Sequence, residues 1–124
     1  MLFRSIETIH SRAEELGKNK NYREMFDVAT SRAVANLNTL SEYMLPFVKE
    51  GGVSICMKGP DSKEEVQKAK KAISVLGGEV SLVDSFVLPN SDLGRNVVVI
   101  SKKDVTPGKY PRKAGTPAKE PLFY

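Results

Sequence analysis

Thiols are scarce in this sequence: the one cysteine, Cys56, lies inside the apolar run from Val53 to Met57. A lone cysteine cannot close a disulfide within the chain or supply a cysteine-based metal set, and it suits a reducing cytoplasm. Tryptophan is absent and His10 is the one histidine, with no second ligand nearby, so it reads as a strand-end residue rather than a metal ligand or base. No apolar run approaches the roughly 20 residues of a membrane span, and the amino terminus is too short and polar for a signal-peptide core. The expectation is a soluble, cytoplasmic chain without metal, and nothing in the sequence fixes its oligomeric state.

What is present fits one ordinary globular unit: 124 residues, 40% hydrophobic and 27% charged. The net charge of +4 is unevenly spread. Residues 105–124 carry Lys109, Arg112, Lys113 and Lys119 against Glu120, a net of +3 that leaves +1 for residues 1–104. Four of the seven prolines also fall in this segment, which has no hydrophobic period. The chain therefore divides into a body, 1–104, and a basic, proline-rich tail, 105–124, expected to be extended or disordered.

Periodicity within the body alternates strand and helix. "IETI" (6–9) and "FDVATS" (26–31) read as strands, the second as a buried one. Ala35, Leu37, Leu40, Tyr43, Met44 and Val48 recur at helical spacing, with Gly51-Gly52 as the C-cap signal. "GVSICMKG" (52–59) reads as a strand apolar on both faces, as in buried parallel sheets. "PDSKEEVQKAKKAISVLGG" is a helix with Asp61 or Ser62 at its N-cap, acids in its first turn and a glycine pair at its end. "EVSLVDSFVLP" and "RNVVVISKKD", joined by the turn-rich "NSDLG", form an antiparallel hairpin. The fold class is α/β, a mostly parallel sheet whose last strand enters antiparallel, with 26–31, 52–58, 79–88 and 95–102 in one sheet.

Ligands of open α/β sheets gather outside the carboxyl ends of the strands. Arg32 directly follows one such strand and Lys58 ends the next, so two cations are expected at one crevice suited to an anionic or electron-rich group. Each has a plainer alternative, Arg32 as an ion-paired strand cap and Lys58 as a solvated strand end. "HSRAEELG" (10–17) falls at the same edge, where Glu14 and the main chain could meet a nucleobase. Its alternative is a capping box between Ser11 and Glu14.

"HSRAEEL", "FDVATSRAVANLNTLSEYMLPFVKEGG", a strand ending "MKG", "RNVVVISKK" and "KYPRKAGTPAKEPL" together resemble the bacterial 16S rRNA (guanine-N7)-methyltransferases, also called RsmG or GidB. The resemblance runs from about Ile6 to Leu122 and covers their carboxyl-terminal half. It implies a partial Rossmann-like fold, S-adenosylmethionine as cofactor, 16S ribosomal RNA or the small ribosomal subunit as partner, and methylation of guanine N7. It further implies that Ala13, Glu14 and Arg32 bind the cofactor. Lys58 would lie on the substrate side. Separately, the clustered tail cations Lys109, Arg112, Lys113 and Lys119 are expected to contact RNA phosphates without reading sequence. Guanine N7 carries an available lone pair, so its methylation needs orientation and proximity but no catalytic base, and none is assigned.

The family's glycine-rich turn, the acid that ends its second strand and its amino-terminal helical segment have no counterpart here, so the chain is expected to be an inactive fragment with one wall of the cofactor pocket. Leu2-Phe3-Arg4-Ser5 does not fit the family pattern and reads as an assembly scar. The segment 6–9, whose sheet neighbours would be among the missing strands, is expected to be loosely attached or paired with 26–31. The alternative function is a non-enzymatic α/β module that binds rRNA through its basic tail.

Overall fold

Two parallel strand–helix–strand crossovers decide the architecture. The protein's structure, a computed structural model, describes residues 6–32, 35–59 and 62–123. The elements run α1 (Ala13–Leu16), β1 (Phe26–Ser31), α2 (Leu37–Met44) with a 3₁₀ turn over Leu45–Phe47, β2 (Val48–Lys58), α3 (Lys63–Val75), β3 (Gly78–Val87), β4 (Gly94–Lys102) and α4 (Thr116–Lys119). The four strands form one sheet in the order β1-β2-β4-β3. β1 and β2 are parallel, and β4 is antiparallel to both β2 and β3. Three strands thus run one way and the last is inserted against them, as the α/β reading expects. A parallel step that always moves toward the same edge and always crosses right-handed puts its helices on one face.

That face holds the core. Ala29, Ser54, Ile100 and Val80 stand in register across the sheet, as do Ser31, Cys56, Val98 and Val83. Against them pack Leu37, Leu40, Met44 and Leu45 from the α2 region and Val66, Ala69, Ala72 and Ile73 from α3. The opposite face, carrying Val28, Val53, Ile55, Met57 and Val99, has no helix over it among the described residues, and Val28 and Met57 are half exposed. The strand at 52–59, expected to be covered on both faces, is therefore covered on one. β1, expected to be buried, is an edge strand with most of its residues exposed.

Other boundaries shift for local reasons. The helix expected from Ala35 to Val48 stops at Met44, because Pro46 has no N–H to continue the ladder and the chain tightens into the 3₁₀ turn. Gly51-Gly52 is no helix cap but a bulge inside β2, where the register moves from Phe26↔Val48 to Val28↔Val53. Gly51 takes φ +91°, and a Cβ on Gly52 would stand 2.5 Å from the Asp27 carbonyl oxygen. Gly77, at φ +93°, follows α3 as the glycine pair leads one to expect. Residues 6–9 form no strand and are exposed, attached by the Tyr22 hydroxyl, which donates to Glu7 at 2.8 Å.

The described part of the tail, 105–123, is not disordered. Tyr110, Pro111, Pro117 and Leu122 are buried, and the Thr39 hydroxyl and Asn38 amide donate to the carbonyls of Pro117 and Leu122. Proline supplies apolar surface at little entropic cost, so a proline-rich stretch without period can still pack.

The sheet's lower end is closed by Lys102. Its ammonium is fully buried, donates to the Leu45 and Val48 carbonyls at 2.7 Å each, and pairs with Glu24 at 3.0 Å. Burial depresses its pKa, and Glu24 opposes that shift. Beside it, Arg23 donates to the carbonyls of Gly17, Tyr110, Thr106 and Pro107.

Lys102→Met should cost about 3 kcal/mol, read as a lower urea midpoint at unchanged slope, because two carbonyls and a carboxylate lose their donor. Cys56 is fully buried against Met44, and burial raises its thiol pKa, so it should react with a thiol reagent only at the rate of global unfolding. Rapid labelling of the folded chain would refute this.

Candidate functional site

The carboxyl ends of β1 and β2 lie side by side, since Ser31 pairs with Cys56 and Lys58 follows two residues on. Arg32, the next residue after β1, is exposed and its guanidinium has no partner among the described residues. Lys58 is buried, and its ammonium donates to the Ala35 carbonyl at 2.7 Å and pairs with Glu65 at 2.7 Å. The two cations do share an edge, as expected, but they are not equivalent. Lys58 ties the chain leaving β1 to the first turn of α3, while Arg32 stays available. Among the described residues no acid caps Arg32, and Lys58 is buried rather than solvated.

Asn96, opposite Lys58 in the sheet, is a residue the sequence reading missed. Its amide donates to the Gly59 carbonyl at 3.2 Å and the Ser62 hydroxyl at 2.5 Å, and its oxygen accepts from the Ser85 hydroxyl at 2.5 Å. It therefore fixes the turn after β2 and the start of α3. A polar residue opening the run "NVVVI" was the available signal. Ser62 precedes α3 as expected, but its hydroxyl serves Asn96 and makes no cap bond to the helix; Asp61 lies outside the described residues.

On the other side of β1, Ala13 opens the short helix α1, and with Val28, Thr30, Ser31, Leu40 and Tyr43 it lines a hollow of about 420 Å³. Glu14 points elsewhere. Its carboxylate is buried, accepts from the Gly115 N–H at 2.9 Å and stands 3.5 Å from the Arg12 guanidinium. Burial alone would raise its pKa, but the Gly115 bond and Arg12 together outweigh it and hold the carboxyl below its usual range. The Ser11–Glu14 capping box does not form, since Ser11 donates to the Arg12 carbonyl and Arg12 is the N-cap.

Ala13 and the end of β1 thus come together, while the Glu14 carboxylate is spent on the tail. The hollow is largely apolar, and no uncommitted acid stands in it to take ribose hydroxyls. The described residues bring α1, the end of β1 and α2 around one open hollow. Among them, no group of three or more His, Cys, Asp or Glu is placed to hold a metal ion, and no helix is long and apolar enough to cross a membrane.

The basic residues of the tail separate as well. Arg112 is committed inward: its side chain donates to Glu42 at 2.9 to 3.3 Å, its own N–H reaches the same carboxylate at 2.8 Å, and Glu42 is fully buried. Glu42 raises the Arg112 pKa further. Arg112 thus braces the core, because leaving Glu42 unpaired there would cost several kcal/mol. Lys109 and Lys113 are exposed, Lys109 resting 5.4 Å from the Tyr110 ring centre.

Comparison with known proteins gives one consistent result. A family model described as rRNA small subunit methyltransferase G matches residues 2–94. The match takes in Leu2–Ser5, which the sequence reading had set aside. Proteins named Ribosomal RNA small subunit methyltransferase G are similar at 56% identity over 94% of this chain in Alkaliphilus oremlandii and 55% over 91% in Oceanobacillus iheyensis. In Clostridium novyi the figures are 55% over 95%. This chain covers 49%, 48% and 49% of those proteins, so it spans about half the length of the curated relatives it matches. A solved structure titled crystal structure of M1.HpyAVI superposes with a TM-score of 0.54 at 16% identity, over 78% of this chain and 55% of that one. At that identity the likeness concerns the fold alone.

The Glu14–Gly115 bond gives a pH dependence. A carboxyl whose pKa is lowered on folding contributes stability above the ordinary carboxylate range and loses it as pH falls through that range. Against Glu14→Gln, which keeps an acceptor but no charge, the natural chain should be more stable by about 1 kcal/mol at neutral pH. Thermal midpoints of the two should converge as the solution is acidified below the ordinary carboxylate range.

Proposed function

Because the chain belongs to the rRNA small subunit methyltransferase G family, we propose that it is the carboxyl-terminal half of an enzyme that methylates guanine N7 in 16S ribosomal RNA, with S-adenosylmethionine as methyl donor. The observation that carries this reading is the 56% identity to a relative of that name across 94% of the chain. The sheet supports it, with β1 left as an open parallel edge and one face bare, as a half-sheet would be.

Each residue has a role in the proposal. Arg32, uncommitted at the end of β1, contacts the cofactor, and Ala13 and Glu14 border it from α1, Glu14 through its main chain because its carboxylate is held by Gly115. Lys58 is a positioning residue, setting the loop after β1 through the Ala35 carbonyl and α3 through Glu65. Lys109 and Lys113 meet phosphates on the substrate. Site and substrate alike are cytoplasmic.

Calorimetry on this 124-residue chain should show weak or absent binding of S-adenosylmethionine. Micromolar affinity would mean that the retained wall suffices and would contradict the partial site. Residues 6–124 joined to the amino-terminal half of a close relative should transfer methyl groups to 16S rRNA; no turnover by that folded chimera would overturn the proposed activity. In the chimera, Arg32→Ala should weaken cofactor binding at least tenfold, ~1.4 kcal/mol, whereas Lys58→Ala should lower turnover with little change in the salt dependence of RNA binding.

A further inference from the structure

The cations of α3 are unevenly committed. Both acids of the helix are used: Glu64 pairs with Lys68 at 3.3 Å and Glu65 with Lys58 at 2.7 Å. Lys71 lies 4.6 Å over the Phe123 ring. Lys63 and Lys70 are exposed and have no acidic partner among the described residues.

These two lysines share a stripe. Lys63, Gln67, Lys70 and Ser74 fall on the side of α3 that borders β3, and β3 is the sheet's other edge strand. Between helix and strand run two hollows of about 490 and 550 Å³ that share Lys70 and Val80, so they form one groove. Its floor is apolar, from Val66, Val80 and Val83. One end opens at Ser62, Ser85 and Asn96, next to Lys58 in the sheet, and the other at Gly77 and Lys103. Seven helical residues rise about 10 Å, so Lys63, Lys70 and the Gly77–Lys103 end follow one another at roughly that interval.

We propose that the α3–β3 groove is a binding site for single-stranded RNA, tracking the sugar–phosphate backbone of the segment that leaves the strand-edge crevice. This rests on the proposed rRNA substrate and adds where the flanking chain runs. Spaced ammonium groups neutralise successive phosphates without reading sequence, and the exposed Gln67 and Ser74 supply amide and hydroxyl partners for ribose and phosphate oxygens. Glu79 and Asp104 border the far end, and the Asp104 carboxylate already accepts from the Val105 N–H. The attraction is therefore strongest at Lys63 and Lys70. Continuity with the Lys58 end favours RNA over an acidic protein segment.

The test is fluorescence anisotropy of the full chain with a labelled single-stranded RNA of about 20 nucleotides, measured across salt concentrations. Lys63→Glu with Lys70→Glu should weaken binding at least tenfold and flatten the log–log salt slope by about 1.4, at ~0.7 for each phosphate that is no longer neutralised. Lys20→Glu with Lys71→Glu imposes the same charge change elsewhere and should do much less. Equal losses in the two double variants, or an unchanged slope, would overturn the proposal, as would a poly-glutamate peptide that binds the natural chain as tightly as the RNA. Both lysines are exposed, and circular dichroism melts of each variant confirm the fold. Methyl transfer is not read, so failure of the chimera leaves this result standing, and failure here leaves the methyl-transfer reading untouched.

Discussion

A buried ammonium with three donors and three acceptors holds the base of this molecule together. Lys102 ends β4, yet its partners belong to the 3₁₀ turn after α2, to the first residue of β2 and to Glu24 ahead of β1. The Leu45 carbonyl also takes the Val48 N–H, so the ammonium adds a second donor to it at the point where helix gives way to strand. A lysine can be buried fully only if its donors are met, and this chain path brings three acceptors to one point. The abrupt junction at Pro46, the placement of β4 beside β2 and the docking of the 105–124 segment around Arg23 and Thr106 are mutually dependent for that reason.

Rigid at that end, the sheet is asymmetric in every other respect. Both helices that follow the parallel strands cover one face, so Val28, Met57 and Leu82 remain open to solvent and β1 has a free edge. Among the described residues an apolar face and a parallel edge have no partner, and the chain spans about half the length of the curated relatives it matches.

Charge is divided between two uses. Lys58, Lys102 and Arg112 are buried or half-buried and each meets a carboxylate, so they brace loops and ends. Arg32, Lys63, Lys70, Lys109 and Lys113 are exposed, and none of them has an acidic partner among the described residues. The first group cannot be removed without stranding a partner in the core; the second is free to meet an anion. Residue type does not distinguish them, and neither does position along the chain, since Arg112 and Lys113 are neighbours.

The sequence alone determined the α/β class, the hairpin with its antiparallel last strand, α3 with its glycine pair and the shared edge of Arg32 and Lys58, because each rests on local period, turn chemistry or strand ends. The family motifs were equally legible, being contiguous. Other features waited for the tertiary structure. Whether the run from Val53 to Met57 was covered once or twice depended on crossover handedness acting over the whole sheet. Gly51-Gly52 carries the same composition as a helix cap or a bulge, and only the approach of Asp27 decides between them. The burial of the proline-rich end, the turning of Glu14 toward Gly115 and the pairing of Arg112 with Glu42 all join residues about 70 to 100 positions apart. Such contacts leave no period in the sequence, since their cost is chain entropy and their return appears only when the core closes.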